Sequence, residues 1–314
     1  MNKKNWTIVG ILIVFIIGGT LIFKSKQNKK QEVSNKDITI THKLGEARLK
    51  KNPKKVVVFD YGTLDSLDKM GVEVKGLPKS NIPSYLSKYK DDKYANVGTL
   101  FEPNYEKLNE IKPDVIFISG RQSKVYKELN KIAPTIQLNV EDGKYMESVK
   151  GNLEKLGKIF DKEDFVKTEM KKLDDSIKSI NEEVNKSGKK ALVLLANDGA
   201  LSAYGKGSRF GIIHEELGFP LSDENIDTAV HGQKISFEYV VEKNPDYIFV
   251  IDRGAVVQGG HKSINKILEN DLIKTTTAYK NNKIISLNPE LWYISSGGIV
   301  STTEMLKEIK EVIK

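Results

Sequence analysis

The sequence predicts an α/β fold with two Rossmann-like lobes, each built on a mainly parallel sheet, joined by one long, rigid inter-lobe helix. Three observations support this prediction: strand-like and helix-like stretches alternate in both halves, one helix–turn–strand unit occurs twice, and a long amphipathic segment separates the halves. We expect an N-terminal membrane anchor and tether over residues 1–36, a first lobe over 37–160, the inter-lobe helix over 161–187 and a second lobe over 188–314.

The N-terminal segment has the pattern of a membrane anchor. Asn5–Phe23 contains 19 residues without a charge, and at about 1.5 Å per residue a helix of this length just crosses a hydrocarbon core of roughly 30 Å. The stretch "IGGT" resembles a bacterial lipobox in which Thr20 replaces the cysteine that would carry the lipid. We expect an uncleaved helical anchor, with a cleaved signal peptide as the alternative, and a polar tether over residues 24–36.

Strands and helices alternate after the tether. Short β-branched runs bounded by turn residues predict strands, and helical stretches such as 63–71 and 106–112 lie between them. The pattern restarts after Gly188, which divides the chain into two α/β halves. The predicted strands cover residues 54–60, 114–120, 189–198, 246–252 and 283–288.

The segment Asp161–Gly188 predicts the connecting helix. Its apolar residues recur at steps of three and four positions, most other positions are charged, and Gly188 suits a helix C-cap. A helix of about 25 residues would be about 37 Å long, enough to bridge two lobes as a stiff connector. The apolar positions are Phe165, Leu173, Ile177, Ile180 and Val184.

A repeated unit strengthens the prediction of two lobes. The stretch "EKLNEIKPDVIFISGR" begins at Glu106, and "EYVVEKNPDYIFVIDR" begins at Glu238. In both, a predicted helix leads through a proline turn into a strand that ends at an arginine, Arg121 or Arg253. Ligands of open α/β sheets bind outside the carboxyl ends of the strands, so the two arginines occupy equivalent candidate positions.

Arginine is rare in this chain and is placed selectively. Lysine and arginine together number 50, yet only four are arginine. Three of them, Arg121, Arg209 and Arg253, occur in turns of small residues: "SGRQ", "GSRFG" and "IDRG". Because a guanidinium grips anionic oxygens with a planar fork of donors and stacks on aromatic rings, this pattern indicates one anionic ligand and suits an aromatic one.

The composition excludes several other classes of protein. The chain has no Cys, so disulfides, thiolate metal sites and cysteine nucleophiles are absent. It has no G-x-S-x-G elbow, and its best imitation of a nucleotide-binding loop, "YGKGSRFG", lacks the required spacing. The net charge of +8 comes from scattered lysines rather than from basic tracts interleaved with aromatics. We therefore expect neither an enzyme nor a nucleic-acid-binding protein.

Two stretches in the second half add candidate site residues. "TAVHGQKISFEY" presents His231 in a loop, and "NPELWYISSGG" presents Trp292 and Tyr293 between a strand and the C-terminal helix. Each residue alone is weak evidence for a site. Together with the three arginines, however, His231 and Tyr293 follow predicted strand ends or adjoin them, whereas we expect Trp292 to pack beside the cleft.

The sequence resembles the substrate-binding proteins of bacterial ABC importers for iron–siderophore complexes, in particular the catecholate-siderophore receptors. The stretches that carry the resemblance extend from about residue 54 to residue 298. They are "VVVFDYGTLDSLDKMG", "YANVGTLFEPNYEKLNEIKPDVIFISGRQ", "GSRFGIIHEELGF", "HGQKISFEYVVEKNPDYIFVIDRG" and "NPELWYISSGG". The resemblance implies a class III binding-protein fold with a shallow cleft between the lobes. It departs from the family at the anchor, since relatives are usually lipoproteins.

The resemblance also implies what the site residues do. Arg121, Arg209 and Arg253 would bind the anionic ferric siderophore, and His231 and Tyr293 would be potential iron ligands when a tetradentate siderophore leaves two positions open. No intrinsic cofactor is expected.

The resemblance further implies a membrane partner. Glu106 and Glu238 would dock onto an ABC permease, although a role as helix N-terminal acids is an equal alternative. The protein would be a monomer at the cell membrane of a bacterium of Gram-positive type, with its body on the extracytoplasmic side. Haem, a hydroxamate siderophore, cobalamin or a bare metal ion are alternative cargoes, and an anchored adhesion module is an alternative class. With four His in the chain, a bare-metal site is poorly supported.

Overall fold

Each half of the chain folds around a five-stranded sheet, which confirms the predicted two-lobed α/β fold. The computed structural model describes residues 37–197, 199–228, 231–257 and 262–313. The predicted anchor, Asn5–Phe23, and the tether lie outside the described residues. Within the described part of the chain, no helix is both long and apolar enough to cross a membrane.

The sheet of the first lobe is entirely parallel. Its strands lie in the order β5-β4-β3-β6-β7, and an antiparallel hairpin of β1 and β2 contacts β7. The central strands β3 and β6 are apolar and fully buried, as is usual for parallel strands. The strands are β1 Asp37–His42, β2 Gly45–Lys50, β3 Val56–Val58, β4 Gly76–Leu77, β5 Ala95–Asn96, β6 Val115–Ile118 and β7 Thr135–Gln137.

The sheet of the second lobe is mixed, which differs from the mainly parallel sheet that the sequence predicts. Strands β8, β11 and β12 are parallel, but β9 is antiparallel to β8, and β10 is antiparallel to β9. Only two residues connect β8 to β9, one of them Gly199 with a φ of 82°, and so short a connection can join only antiparallel strands. The strands are β8 Ala191–Asn197, β9 Ala200–Tyr204, β10 Gln233–Ile235, β11 Tyr247–Asp252 and β12 Ile284–Leu287.

Helices and short helical turns connect these strands. Short helical turns lie at Ser84–Lys90, Gly120–Val125 (both 3₁₀) and Glu290–Ile294 (π). The described α-helices are α1 Tyr61–Lys69, α2 Tyr105–Ile111, α3 Tyr126–Ile132, α4 Tyr145–Phe160, α5 Glu163–Ser187, α6 Ile212–Glu215, α7 Phe237–Lys243, α8 Arg253–Val257, α9 Lys262–Glu269, α10 Asp271–Lys274, α11 Thr277–Lys280 and α12 Ile299–Ile313.

The repeated unit predicted from the sequence is present in both lobes. Helices α2 and α7 are each seven residues long, begin at a side chain that caps the helix and end at a residue in the left-handed conformation, Lys112 or Asn244. Strands β6 and β11 follow the two proline turns. Arg121 lies in the turn after β6, and Arg253 lies directly after β11, so the two arginines occupy equivalent places in the two lobes.

Helix α5 is the predicted inter-lobe helix. It is 25 residues long and ends, as predicted, at Gly188, whose φ of 59° is left-handed. The helix is bonded to both lobes: Asp174 pairs with Lys150 of α4 at 2.6 Å, and Asn181 donates to the backbone oxygen of Glu216 at 3.0 Å. Buried apolar residues from both lobes and from α5 form one continuous cluster, so the lobes share a core.

The C-terminal helix α12 is joined to the first lobe through a buried carboxylate. Asp65 of α1 accepts hydrogen bonds from the backbone N–H groups of Val300 (2.8 Å) and Ser301 (2.6 Å) at the start of α12. The backbones cross closely here, because a Cβ on Gly298 would lie 2.7 Å from the backbone oxygen of Gly62 in α1. This junction fixes the segment before α12, which carries Tyr293, against the first lobe. The lobe boundaries given above stay a prediction.

Candidate functional site

A cavity of about 720 Å³ lies between the two lobes. The first lobe lines it with the turn after β6, which includes Arg121, and with the segment after β7. The second lobe contributes Arg209, His231 and Tyr293. Four of the five ligand-binding residues predicted from the sequence thus line one cavity. The fifth, Arg253, is not a lining residue but contacts one.

The three predicted arginines converge on a single residue, Tyr293. Nη2 of Arg121 and Nη2 of Arg209 donate hydrogen bonds to its backbone oxygen, at 3.1 Å and 3.3 Å. Nε of Arg253 donates to its side-chain hydroxyl at 2.8 Å, and Nη1 of the same guanidinium donates to Oδ1 of Asn197 at 2.9 Å. Arg121, Arg209 and Arg253, called here the arginine cluster, therefore assemble around one residue although they come from three distant turns.

In addition to these hydrogen bonds, aromatic rings contact two guanidiniums of the arginine cluster. The guanidinium carbon of Arg209 lies 4.4 Å from the centre of the Tyr293 ring and 5.1 Å from that of Phe210. The guanidinium carbon of Arg253 lies 5.8 Å from the centre of the Tyr293 ring. Burial lowers the pKa of Arg209, and the positive charge of Arg121 acts in the same direction. Because a guanidinium stays charged in proteins, these like charges remain and favour an anion in the cavity.

The turn that carries Arg121 is fixed by its neighbour, Gln122, which is fully buried. Oε1 of Gln122 accepts from the backbone N–H of Ser119 at 2.9 Å. Its Nε2 donates to the backbone oxygens of Phe59 at 3.4 Å and of Leu100. One amide thus ties together three loops at the carboxyl ends of the first sheet.

Asp60 is a buried carboxyl group beside Arg121. Its Oδ1 lies 3.9 Å from Nη1 of Arg121, and its Oδ2 accepts from the backbone N–H of Thr63 at 2.8 Å, which caps α1. Burial raises the pKa of Asp60, while the charge of Arg121 and the hydrogen bonds of Thr63 act against this shift. The carboxylate orients Arg121 and offsets part of the charge of the arginine cluster.

Arg209 is placed by a compact turn at the end of β9. Oγ of Ser208 donates to the backbone oxygen of Gly205 at 2.6 Å, and the N–H of Gly211 donates to the backbone oxygen of Ser208 at 2.9 Å. The N–H of Gly207, whose φ is 73°, donates to Oε1 of Glu215 at 3.0 Å. These bonds hold the turn that aims Arg209 at Tyr293.

His231 is an exposed residue that lines the cavity from the second lobe. The next residue, Gly232, has a φ of 71°, and a Cβ there would lie 2.6 Å from Cε2 of Tyr204. Tyr204 packs edge-on against Phe210 at 4.9 Å between ring centres. Since both the conformation and the space require glycine, the loop that carries His231 is pressed against the ring of Tyr204.

The π-helical turn Glu290–Ile294 presents Tyr293 to the cavity and Trp292 to the core. Trp292 is 1% exposed, and its Nε1 donates to Oε2 of Glu308 at 2.8 Å. Trp292 therefore packs beside the cleft, which confirms that part of the prediction. Glu290, at the start of the turn, accepts from the N–H of Ser84 at 2.9 Å and so links the turn to the first lobe.

Several lining residues were not identified from the sequence. Asp60 lies two positions after the end of strand β3, so the rule that located Arg121 at a strand end would also have located Asp60. No local signal marks Lys43, which pairs with Glu141 at 3.0 Å at the cavity, or the exposed Asp142 beside them. Among the described residues, no group of three or more His, Asp or Glu is arranged to hold a metal ion.

The two predicted docking residues lie on the surface of their lobes. Glu106 is exposed in the first turn of α2, and Glu238 is exposed in the first turn of α7. A hydrogen bond from its own backbone N–H and one from Ser236 lower the pKa of Glu238. Both positions agree with a helix N-terminal role as well as with a docking role, and neither residue lines the cavity.

Comparison with known proteins identifies the family. Residues 56–291 match the model of the periplasmic binding protein family. This chain belongs to that family. The match covers the five-stranded sheets of both lobes and α5, and it ends before α12.

Three similar proteins with solved structures are named for siderophore binding or iron uptake. The chain is 49% identical over 292 residues to the petrobactin-binding protein YclQ of Bacillus subtilis (strain 168), with 92% of each protein covered. The crystal structure of YclQ has a TM-score of 0.87 at 50% identity and covers 89% of this chain and 99% of that one. The periplasmic catecholate-siderophore binding protein VctP of Vibrio cholerae has a TM-score of 0.84 at 39% identity, covering 88% and 100%. The iron uptake ABC transporter substrate-binding protein PiuA of Streptococcus pneumoniae has a TM-score of 0.83 at 38% identity, covering 88% and 98%.

Proposed function

We propose that this protein is an extracytoplasmic receptor that binds a ferric siderophore of the catecholate type in the inter-lobe cavity and delivers it to an ABC permease. The observation that carries this proposal is the convergence of Arg121, Arg209 and Arg253 on Tyr293. The similarity to YclQ, VctP and PiuA, which bind siderophores or serve iron uptake, supports it.

The chemistry of the cargo fits the arginine cluster. Ferric iron chelated by catecholates is a bulky aromatic complex that carries up to about three negative charges, and guanidinium groups both neutralise such charge and lie against aromatic rings. Each guanidinium carries five N–H donors. The contacts described for Arg121 and Arg209 employ few of these donors, so others can bind catecholate oxygens. Lysine would supply the charge without this fork.

A fluorescence titration tests the proposal. Trp292 precedes Tyr293, so a coloured ferric complex in the cavity should quench its emission. We expect strong quenching by ferric catecholates and little by ferric hydroxamates or haem. Replacing Arg121, Arg209 or Arg253 with Lys should weaken ferric-catecholate binding about tenfold, the equivalent of one lost charge-assisted hydrogen bond. Preferential binding of haem or of a hydroxamate would assign another cargo, and unchanged affinity in all three variants would remove the arginine cluster from the site.

We further propose that His231 and Tyr293 complete the coordination of iron when the siderophore offers only four donor atoms. Both side chains line the cavity, and imidazole and phenolate are suitable ligands of iron. A double variant, His231→Ala with Tyr293→Phe, should lose affinity for linear bis-catecholates and keep affinity for hexadentate ones, which already fill the octahedron. The visible charge-transfer band of the bound complex should also shift. Equal losses in both classes without a spectral change would show that neither residue touches the metal.

Delivery to the permease is the second half of the proposed function. We propose that the uncharged segment Asn5–Phe23 anchors the protein as a monomer, with its body on the outer side of the membrane. Glu106 and Glu238, one on each lobe, would then dock onto basic residues of the two permease subunits, at a spacing that α5 and the shared core keep fixed. Replacing both with Ala should leave siderophore affinity unchanged and abolish uptake in cells that depend on this receptor. Normal uptake at normal protein levels would return both residues to the role of helix N-terminal acids.

A further inference from the structure

The loop between β5 and α2 presents an aromatic side chain to solvent. Phe101 is 67% exposed, the highest value among the large apolar side chains of the described residues, and Tyr105 at the start of α2 is 37% exposed. Glu102 and Glu106 are exposed beside them. We call Phe101, Glu102, Tyr105 and Glu106 the aromatic–acidic patch.

Hydrogen bonds within its own loop keep the side chain of Phe101 exposed to solvent. Oγ1 of Thr99 accepts from the N–H groups of Phe101 at 3.2 Å and of Glu102 at 2.9 Å, and the N–H of Thr99 donates to the oxygen of Glu102 at 3.0 Å. Gly98 has a φ of 111°, and a Cβ there would lie 2.2 Å from the oxygen of Glu102. A loop closed by its own hydrogen bonds leaves Phe101 no route to the core, so its exposure is a stable feature of the surface.

The patch lies outside the cavity lining, but its loop is hydrogen-bonded to the turn that carries Arg121. None of its four residues lines the cavity. The backbone oxygen of Leu100, however, accepts a hydrogen bond from Gln122, which follows Arg121. The patch therefore lies on a loop that shares a hydrogen-bonded support with the site, although its residues lie outside the cavity lining.

The charge of the patch indicates the kind of partner. The chain carries a net charge of +8, but the stretch Tyr94–Glu106 contains two Glu and no Lys or Arg, and the adjoining Lys107 is paired with Glu110. An acidic surface with an exposed ring is complementary to a protein surface that offers basic and apolar side chains, and it is repelled by an anionic membrane surface. Exposed aromatic residues are also enriched among the side chains that dominate protein–protein binding.

Comparison of the two lobes shows that the repeated unit does not require this aromatic residue. The register that aligns Glu106 with Glu238 and Tyr105 with Phe237 places Gln233 opposite Phe101. Gln233 lies in β10 and is only partly exposed. The exposed ring is thus an addition to the first lobe rather than a part of the helix–turn–strand framework.

We propose that the aromatic–acidic patch is a docking contact for the membrane permease, with Phe101 inserted between basic and apolar side chains of one permease subunit. This inference rests on the proposed function, because it presupposes delivery to a permease. It extends the docking surface of the first lobe from the single charge of Glu106 to a surface with an apolar centre.

Uptake measurements with a matched control test this proposal. Cells that depend on this receptor are given radiolabelled iron(III) bound to a linear bis-catecholate, and the isolated full-length variants are titrated with the same complex. Phe101→Ser should lower the uptake rate about fivefold or more, as for an interface residue of substantial weight, at unchanged affinity. Phe101→Trp should keep uptake, and Leu272→Ser, which alters an apolar residue that is 38% exposed on the second lobe, should behave as wild type.

The possible outcomes separate this inference from the proposed function. If wild-type protein does not bind the ferric bis-catecholate, the proposed cargo is wrong. If it binds and Phe101→Ser transports normally, the patch is not a docking contact. A loss of affinity in Phe101→Ser would make Phe101 a ligand contact and would also overturn the inference. A photo-crosslinking side chain placed at position 101 should form its adduct with a permease subunit, and an adduct with lipid alone would contradict the proposal.

Discussion

Removal of the buried amide of Gln122 should loosen the site and destabilise the first lobe. Gln122 is 0% exposed and bonds to Ser119, Phe59 and Leu100, which belong to three separate loops at the carboxyl ends of the strands. In the variant Gln122→Met, a side chain of similar length fills the space but forms none of these bonds. The perturbation therefore tests the hydrogen bonds rather than the packing.

The expected loss follows from the groups left without a partner. The N–H of Ser119 and the oxygen of Leu100 would lose their bonds to the amide, and each buried polar group without a partner costs about 1–3 kcal/mol. We therefore expect the free energy of unfolding to fall by about 2–6 kcal/mol. Because Arg121 lies next to Gln122 in the same turn, ferric-catecholate affinity should also fall, by about tenfold.

Urea unfolding and siderophore titration measure both effects. The matched control is Gln137→Met, since Gln137 is also buried, at 6% exposure, but donates only to Oγ of Ser123. Its unfolding free energy should fall by less, and its affinity should remain that of wild type. The variant Gln122→Glu keeps an oxygen that accepts from Ser119, but at neutral pH its ionised carboxylate would be buried against the backbone oxygens of Phe59 and Leu100, so its unfolding free energy should fall below that of Gln122→Met. Equal unfolding free energies for Gln122→Met and Gln137→Met would refute the reasoning.

Two further predictions concern the backbone at the site and the junction of the lobes. Gly232→Ala should destabilise the protein by more than Gly71→Ala. Both positions have left-handed φ values, 71° and 72°, but only a Cβ at 232 meets a neighbour, Tyr204. Urea unfolding of the two variants isolates the effect of this clash, and equal losses of unfolding free energy would contradict it. Burial raises the pKa of Asp65 from its ordinary value of 3.8 to about 6. The folded state therefore binds the proton more tightly, and the contribution of Asp65 to stability decreases as the pH rises from about 4 to about 6, by roughly 3 kcal/mol. The difference in unfolding free energy between wild type and Asp65→Asn should change across this range and be constant above it, whereas a difference independent of pH would show that the pKa is not raised.

Local sequence patterns predicted several elements of this fold and the positions of two arginines just after strands. The spacing of apolar residues in α5 and the glycine after it are local features of the sequence. The helix and its end at Gly188 could therefore be predicted. The repeated helix–turn–strand unit likewise predicted that Arg121 and Arg253 follow equivalent strands. Each of these features depends on residues within a few positions of one another.

The tertiary structure decided which distant groups meet. Arg121 and Tyr293 are 172 positions apart and Arg209 and Tyr293 are 84 positions apart, yet both guanidiniums bond to one backbone oxygen. The hydrogen bonds of Gln122 and the carboxylate of Asp65 at the start of α12 are equally invisible in the sequence. Their partners are chosen by the packing of whole elements, and a side chain carries no local mark of the backbone group that will face it after folding.

The mixed sheet of the second lobe shows both what the sequence predicted and what the tertiary structure decided. The apolar runs of β8, β11 and β12 were predicted as strands, but nothing in their composition gives the direction of a neighbour. That direction depends on the connection: a two-residue turn with Gly199 returns the chain at once as antiparallel β9, where a helical crossover would have made it parallel. Sequence alone predicted β3, β6, β8, β11 and β12 and the end of α5, because these follow from residue spacing. The pairing of the strands and the assembly of the arginine cluster were decided only when packing brought distant turns together.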